Sequence, residues 1–216
     1  MLWGQLLDRV LVGFPPEEVG ILTNAAKQYL IDAQEDFALH TECLEKEYAQ
    51  SISADTKSVT LPTDLISLGR VEWRGNVLEP TSEFSRYSFK NTDDSWIYAT
   101  PDSYFIKGDT LFLTPGASQS GKLTMWYSYR PVVDDPATMA AVDFDWSSIQ
   151  DDEPSIPKTY HQYLADFARS QIYWDKGDDT SASRYLARYL ANRDVIAGKH
   201  ANRFTTGPTT VLDVMH

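Results

Sequence analysis

The sequence predicts an α+β fold: a helical core, made of N-terminal helices and a C-terminal helix pair, with an inserted small antiparallel β unit. Three observations lead there. Apolar residues recur with a helical period in residues 1–57 and again in 157–198. Between them, residues 58–131 carry short runs of period two, rich in aromatic and β-branched side chains and punctuated by Gly, Pro and Asn. The acidic stretch 132–156 joins the β unit to the last helices, and 199–216 comes after them as a tail, so that all the parts make one composite domain.

Taken in order, Leu2, Trp3, Leu6, Leu7, Val10 and Leu11 space a short helix with one buried face. Pro15-Pro16-Glu17-Glu18 opens the next, with acids where the helix dipole favours them. Ile21, Leu22, Ala25, Tyr29, Ala33, Phe37 and Leu44 then extend a helix from about Glu17 to Tyr48. Strands come next at Ser58–Pro62 and Leu65–Trp73, then a tight turn at Arg74-Gly75-Asn76 and a return strand at Val77–Pro80. Ser82–Tyr87 reads as one or two helical turns, and the run from Asn91 as a polar loop. A hairpin over 101–113 turns at Lys107-Gly108-Asp109, and Thr110–Thr114 pairs with the strand starting at Leu123, giving five or six strands in all. The connector 132–156, with Asp134, Asp135, Asp143, Asp145, Asp151, Asp152 and Glu153, reads as an exposed loop. Pro157 starts the first closing helix, and Tyr160, Leu164, Phe167, Ala168, Gln171 and Ile172 line its stripe. Gly177 stops it, and Asp179, Thr180 or Ser181 caps the second, which places Tyr185, Leu186, Tyr189, Leu190, Arg193, Ile196 and Ala197 on one face and ends at Gly198.

Composition narrows the function classes. The formal net charge is −12 over 216 residues, which argues against holding nucleic acid on a basic surface. Residues 132–156 contribute seven acidic side chains and no basic one, whereas 157–216 carry eight basic and six acidic. No apolar run approaches the ~20 residues that span a bilayer, and the first residues lack the basic start and apolar centre of a signal peptide. The single cysteine, Cys43, excludes an internal disulfide framework, fits a reducing compartment and reads as a small buried hydrophobe on a helix.

No constellation supports catalysis. Gly116-x-x-x-x-Gly121-Lys122 imitates a phosphate loop, but Leu123 stands where a magnesium-ligating Ser or Thr is needed, and the residues from Leu123 to Tyr129 carry the alternation of a strand, not the period of a helix. The motif therefore reads as a turn. Asp143-x-Asp145-x-Ser147 begins like a calcium loop, yet Ser148 replaces the Gly at the sixth position and Pro154 the bidentate Glu at the twelfth. His40 and Cys43, three apart on the expected helix, are two ligands without a second pair. The expectation is no catalytic, cofactor-binding or metal residues and no cofactor. The six Trp and 12 Tyr read either as an aromatic sheet face or as contacts between subunits, where such side chains are enriched.

The order of the elements adds a resemblance. Leu61-Pro62-Thr63-Asp64-Leu65, Tyr104-Phe105-Ile106-Lys107-Gly108, Leu111-Phe112-Leu113-Thr114-Pro115, the tyrosine-rich strand ending at Pro131, and Ile156-Pro157 before a helix pair occur in the order found in head-to-tail adaptor (connector) proteins of tailed bacteriophages, the group containing tail tubular protein A. The likeness covers about residues 18–198, and the long acidic connector and the extended tail depart from it. It implies a structural virion protein without an active site. Such a protein forms a ring, typically of twelve copies, between the portal protein and the tail nozzle or next tail component, and extends the channel through which DNA passes on genome ejection. It is assembled in the bacterial host cytoplasm, with no membrane involved. By position, the portal-contacting role falls on the C-terminal tail, at Phe204, Thr209, Thr210, Val211, Leu212 and Val214. Another ring-forming neck component, such as a head-completion or tail terminator protein, is the nearest alternative; an unrecognised hydrolase and a monomeric peptide-binding module are further ones.

Overall fold

The computed structural model describes residues 1–82, 97–131 and 146–205. The fold is α+β. Two compact units divide the chain, one of Met1–Leu44 with Arg130–His216 and one of Glu45–Tyr129. The helical turns expected over Ser82–Tyr87, from residue 83 on, the polar loop from Asn91 and the calcium-like start at Asp143 and Asp145 lie outside the described residues.

In the helical unit, α1 (Trp3–Leu11) buries Trp3, Leu6 and Val10, the stripe its spacing predicts. Helix α2 (Pro16–Thr41) begins with Pro16, whose missing N–H costs nothing there, and carries Glu17 and Glu18 in its first turn. It ends seven residues before the predicted Tyr48: Glu42 swings into the left-handed region at φ 50° and its N–H closes on the Ala38 carbonyl at 2.9 Å. Cys43 consequently lies past the helix and is only half-buried, so the spacing that would set it beside His40 does not hold.

Over its described residues, 146–156, the connector is less of a loop than expected. Trp146–Ile149 forms the short helix α3, Trp146 packs edge-on against Trp3 with ring centroids 5.9 Å apart, and Pro154 and Ile156 are buried. The carbonyls of Gln150 and Asp152 accept the N–H groups of Gly4 and Trp3 at 2.9 and 3.0 Å, which satisfies donors that the first turn of α1 leaves open. Pro157 precedes a 3₁₀ turn at Lys158–Tyr160, not the first α-helical position, and α4 (His161–Asp175) comes after it. Gly177, at φ 74°, closes α4: its N–H bonds the Trp174 carbonyl and that of Asp178 the Tyr173 carbonyl, both at 2.9 Å. Asp178, one residue ahead of the predicted candidates, caps α5 (Asp179–Thr205) by accepting the Ser181 N–H at 3.0 Å. Helix α5 runs straight through Gly198, because Ile196 and His200 on either side stay buried and hold the packed face. Aromatic rings join the helices. Phe167 meets Tyr189 at 5.0 Å, Tyr173 stacks on Tyr185 at 5.6 Å, and Phe37 lies 5.5 Å from Tyr160.

The β unit contains nine strands among its described residues, more than predicted. One sheet orders β1 (Glu45–Ile52), β9 (Gly121–Tyr129), β3 (Leu65–Trp73) and β4 (Asn76–Val77), all antiparallel. The other orders β2 (Thr56–Thr60), β8 (Thr110–Ala117), β7 (Ser103–Lys107) and β5 (Glu79–Pro80), with β6 (Tyr98–Ala99) beside β8; the two-residue pairings of β5 and β6 are parallel. Val71, Trp73, Leu123 and Met125 from the first sheet share one core with Val59, Leu111 and Leu113 from the second. The Arg74-Gly75 turn holds as predicted, both residues at positive φ and Trp73 paired with Asn76. The return strand splits between the sheets at Leu78, which is buried in the core. The β7–β8 hairpin turns at Gly108-Asp109, as the sequence predicts. The predicted pairing of Thr110–Thr114 with the strand from Leu123 is overturned: β8 and β9 belong to different sheets, and Ser118–Ser120 carries the chain across.

Candidate functional site

The packing of its glycines removes the phosphate-loop imitation. Gly116 is buried within β8, and Gly121 opens β9, where a Cβ would stand 2.7 Å from the Trp73 ring. Gly121 is there for close packing, and Lys122 lies on a strand, so neither the helix N-terminus nor the cradle of amides that phosphate requires is present. Among the described residues no group of three or more His, Cys, Asp or Glu side chains converges as a metal site.

Three polar clusters stand out. In the β unit, the carboxylate of Asp64 accepts the Tyr127 hydroxyl at 3.0 Å and pairs with Lys46, whose ammonium lies 5.5 and 4.8 Å from the rings of Tyr127 and Tyr129. In the helical unit, Asp36 gathers Tyr189, Arg193 and His40: the Tyr189 hydroxyl donates at 2.5 Å, Arg193 Nη1 at 3.3 Å, and His40 Nδ1 sits 3.2 Å away. Burial, and then the hydrogen bond to Asp36, push the Tyr189 phenol well above its ordinary range. Beside this network an open hollow of about 300 Å³ is lined by His40, Thr41, Glu42, Ala197 and Gly198.

The third cluster surrounds Tyr185. The guanidinium groups of Arg184, Arg169 and Arg188 lie 5.1, 5.5 and 5.9 Å from its ring centroid, within cation–π range, while Tyr173 stacks on it. Arg169 also donates to the carbonyls of Val10 at 3.2 Å, Val12 at 2.8 Å and Arg9, closing the C-terminal end of α1. Asp166, almost wholly buried, sits 3.4 Å from Arg188 Nη2. Burial pushes its carboxyl up in spite of Arg188, Arg9 and Arg169 around it. Sequence reasoning missed this cluster. Its visible signal is Arg184-Tyr185-x-x-Arg188, two like charges a helical turn apart, a spacing that weakens an isolated helix.

Of the residues expected to contact a portal, Phe204 falls in the last turn of α5, which extends to Thr205. Thr209, Thr210, Val211, Leu212 and Val214 lie outside the described residues. The tail thus begins about two helical turns later than the predicted stop at Gly198.

No helix among the described residues is long and apolar enough to cross a membrane. No curated protein matches the chain. The family model for the SU10 adaptor protein matches residues 1–211, nearly the full length, and the chain accordingly belongs to the SU10 adaptor protein family, as a structural adaptor of a bacteriophage and a component of its virion.

Proposed function

We propose that the chain is the head-to-tail adaptor itself. On this reading twelve copies form a ring between the portal protein and the tail nozzle or next tail component and lengthen the channel through which DNA leaves the capsid. The observation that carries this reading is the match of the adaptor family model over residues 1–211, joined to the order of sequence motifs that head-to-tail adaptors share. The net charge of −12 supports it, since a subunit repeated around a channel with that sign repels phosphate and lets DNA slide. The chain does no bond-breaking chemistry in this role and needs no cofactor. Assembly takes place in the cytoplasm of the bacterial host.

Portal contact is assigned to the segment after Thr205, with Phe204 at its root. The run Thr209-Thr210-Val211-Leu212-Asp213-Val214 has the β-branched composition of a segment that adds to the sheet edge of a partner. The test is electron microscopy of the full chain mixed with the portal protein of the same phage, beside a chain lacking residues 206–216. The expected result is a ring on the portal with the full chain and none with the shortened one, whose helical content is unchanged. Rings that form equally well without residues 206–216 remove the tail from the contact. A ring that caps a tail tube and ignores the portal makes the protein a tail terminator, and turnover of a substrate by the isolated chain ends the structural reading.

A further inference from the structure

The helical unit carries opposite charges at the two ends of α1. At its N-terminal end the connector is tied down through the Gln150 and Asp152 carbonyls, leaving Asp151, Asp152 and Glu153 exposed. Within this trio Glu153 is paired with Lys158 Nζ at 2.8 Å. At its C-terminal end Arg169 closes the helix and stands against Tyr185 with Arg184 and Arg188. The nine residues of α1 put these ends roughly 14 Å apart, at 1.5 Å per residue. Three guanidinium groups, those of Arg188, Arg9 and Arg169, surround the buried Asp166, and Arg184 stands near the capping Asp178. Arg184 and Arg188 are exposed there, in a chain whose total charge is strongly acidic.

We infer that the Arg184–Tyr185–Arg188 face of α5 docks the Asp151–Asp152 edge of a second copy of this chain, as the contact that joins neighbours in the ring. The inference rests on the ring reading above and names its interface. A ring of identical subunits needs two different, complementary surfaces on each, one meeting the other head to tail. The exposed Asp151–Asp152 edge and the exposed Arg184–Arg188 pair supply two surfaces of opposite sign. Tyr and Arg are the side chains that dominate the centres of protein interfaces, and the planar guanidinium fork matches a carboxylate with two parallel hydrogen bonds. Arg188 is 58% exposed despite its contact with Asp166, and Arg184 is exposed as well, so both can reach a partner. The placement of Arg184 and Arg188 one turn apart is unfavourable in the lone helix; carboxylates from a neighbour would reverse that sign.

The test uses full-length chains and sedimentation at rising concentration in low and high salt. One variant carries R184E and R188E; another carries D151K and D152K. The unmodified chain is expected to self-associate, less so in high salt. Each variant alone is expected to raise the dissociation constant at least tenfold. An equimolar mixture of the two is expected to recover association, since each reversed surface then meets its opposite. A neutral version, R184Q with R188Q, serves if reversal beside Asp166 disturbs folding, and is expected to weaken association in the same direction. Association unchanged by either arginine variant, or a mixture as weak as its parts, overturns this inference and leaves the ring standing. Unmodified chains that remain monomeric at millimolar concentration also overturn this inference, whereas the ring reading is overturned only by the mixture with the portal described above. Lowered retention of a short DNA duplex by R184E and R188E, with self-association intact, assigns the arginines to phosphate and also overturns the inference.

Discussion

The most constrained residues here are those whose neighbours leave no room. Gly121 faces Trp73, itself almost fully buried, across two paired strands. Gly121→Ala must displace the ring or the strand, an overpacking that costs about 1–3 kcal/mol; a lowered denaturation midpoint with an unchanged slope is the expected reading. Tyr189 is constrained by polarity instead. Its fully buried hydroxyl satisfies Asp36, and Tyr189→Phe should cost roughly 1–2 kcal/mol, moderated by the Arg193 contact that remains. The phenol's pKa is raised in the folded chain, so the unfolded chain loses its proton first as pH climbs. The stability this tyrosine contributes is complete below about pH 10 and declines above it. Unfolding measured between pH 8 and 11 should show a steeper alkaline loss for the unmodified chain than for Tyr189→Phe. His161 has the opposite sense: burial holds its imidazole below the ordinary range, and Nε2 donates to the Ile156 carbonyl at 2.8 Å. Its contribution is therefore present above about pH 6.5 and is lost on acidification.

At the scale of elements, α1 shows how a short helix is held by its ends. Nine residues are too few to persist alone in water. The connector supplies acceptors at one end and Arg169 supplies donors at the other. Arg169→Met keeps much of the side chain's bulk and removes the donors, leaving carbonyls of Arg9, Val10 and Val12 without that partner. A loss of about 1–3 kcal/mol is expected, together with faster amide exchange confined to α1. The elements that sequence reasoning recovered are those with one buried face and a strong stop: α1, the Arg74-Gly75 turn, the β7–β8 hairpin, and α4 with Gly177. Its misses share a physical cause. Strand β1 exposes five successive residues from Glu45 to Ala49, so it has no alternation to read, and Leu44 prolonged the helical period just before it. Strand β9 is central and buried on both faces, and its pattern says nothing of which neighbours it takes. The Tyr185 cluster brings together residues from α4 and α5 that only the helix pairing makes adjacent. The Gly at 198 looked like a stop, but it keeps helical backbone, and the burial of Ile196 and His200 outweighs the roughly 1 kcal/mol such a residue costs.

For the whole molecule, charge is the organising quantity. The seven acids of 132–156 and the arginines of α5 lie in one chain whose total is −12. In the proposed ring, such a distribution would let short-range contacts of opposite sign bind neighbours while the summed field stays repulsive to nucleic acid. Raising salt should therefore weaken subunit contacts, a trend that sedimentation at several ionic strengths reads directly. The β unit has a further property at this scale. It is entered at Glu45 and left at Tyr129, and Glu45 pairs with Ser128, so the chain departs from the helical unit and returns to it on adjacent strands, only about 5 Å apart. Such a doorway makes the insert a cassette. Replacing residues 45–129 with a few glycines should yield a shorter helical protein that still melts cooperatively, and a foreign hairpin of matching width should be accepted between the same two chain ends.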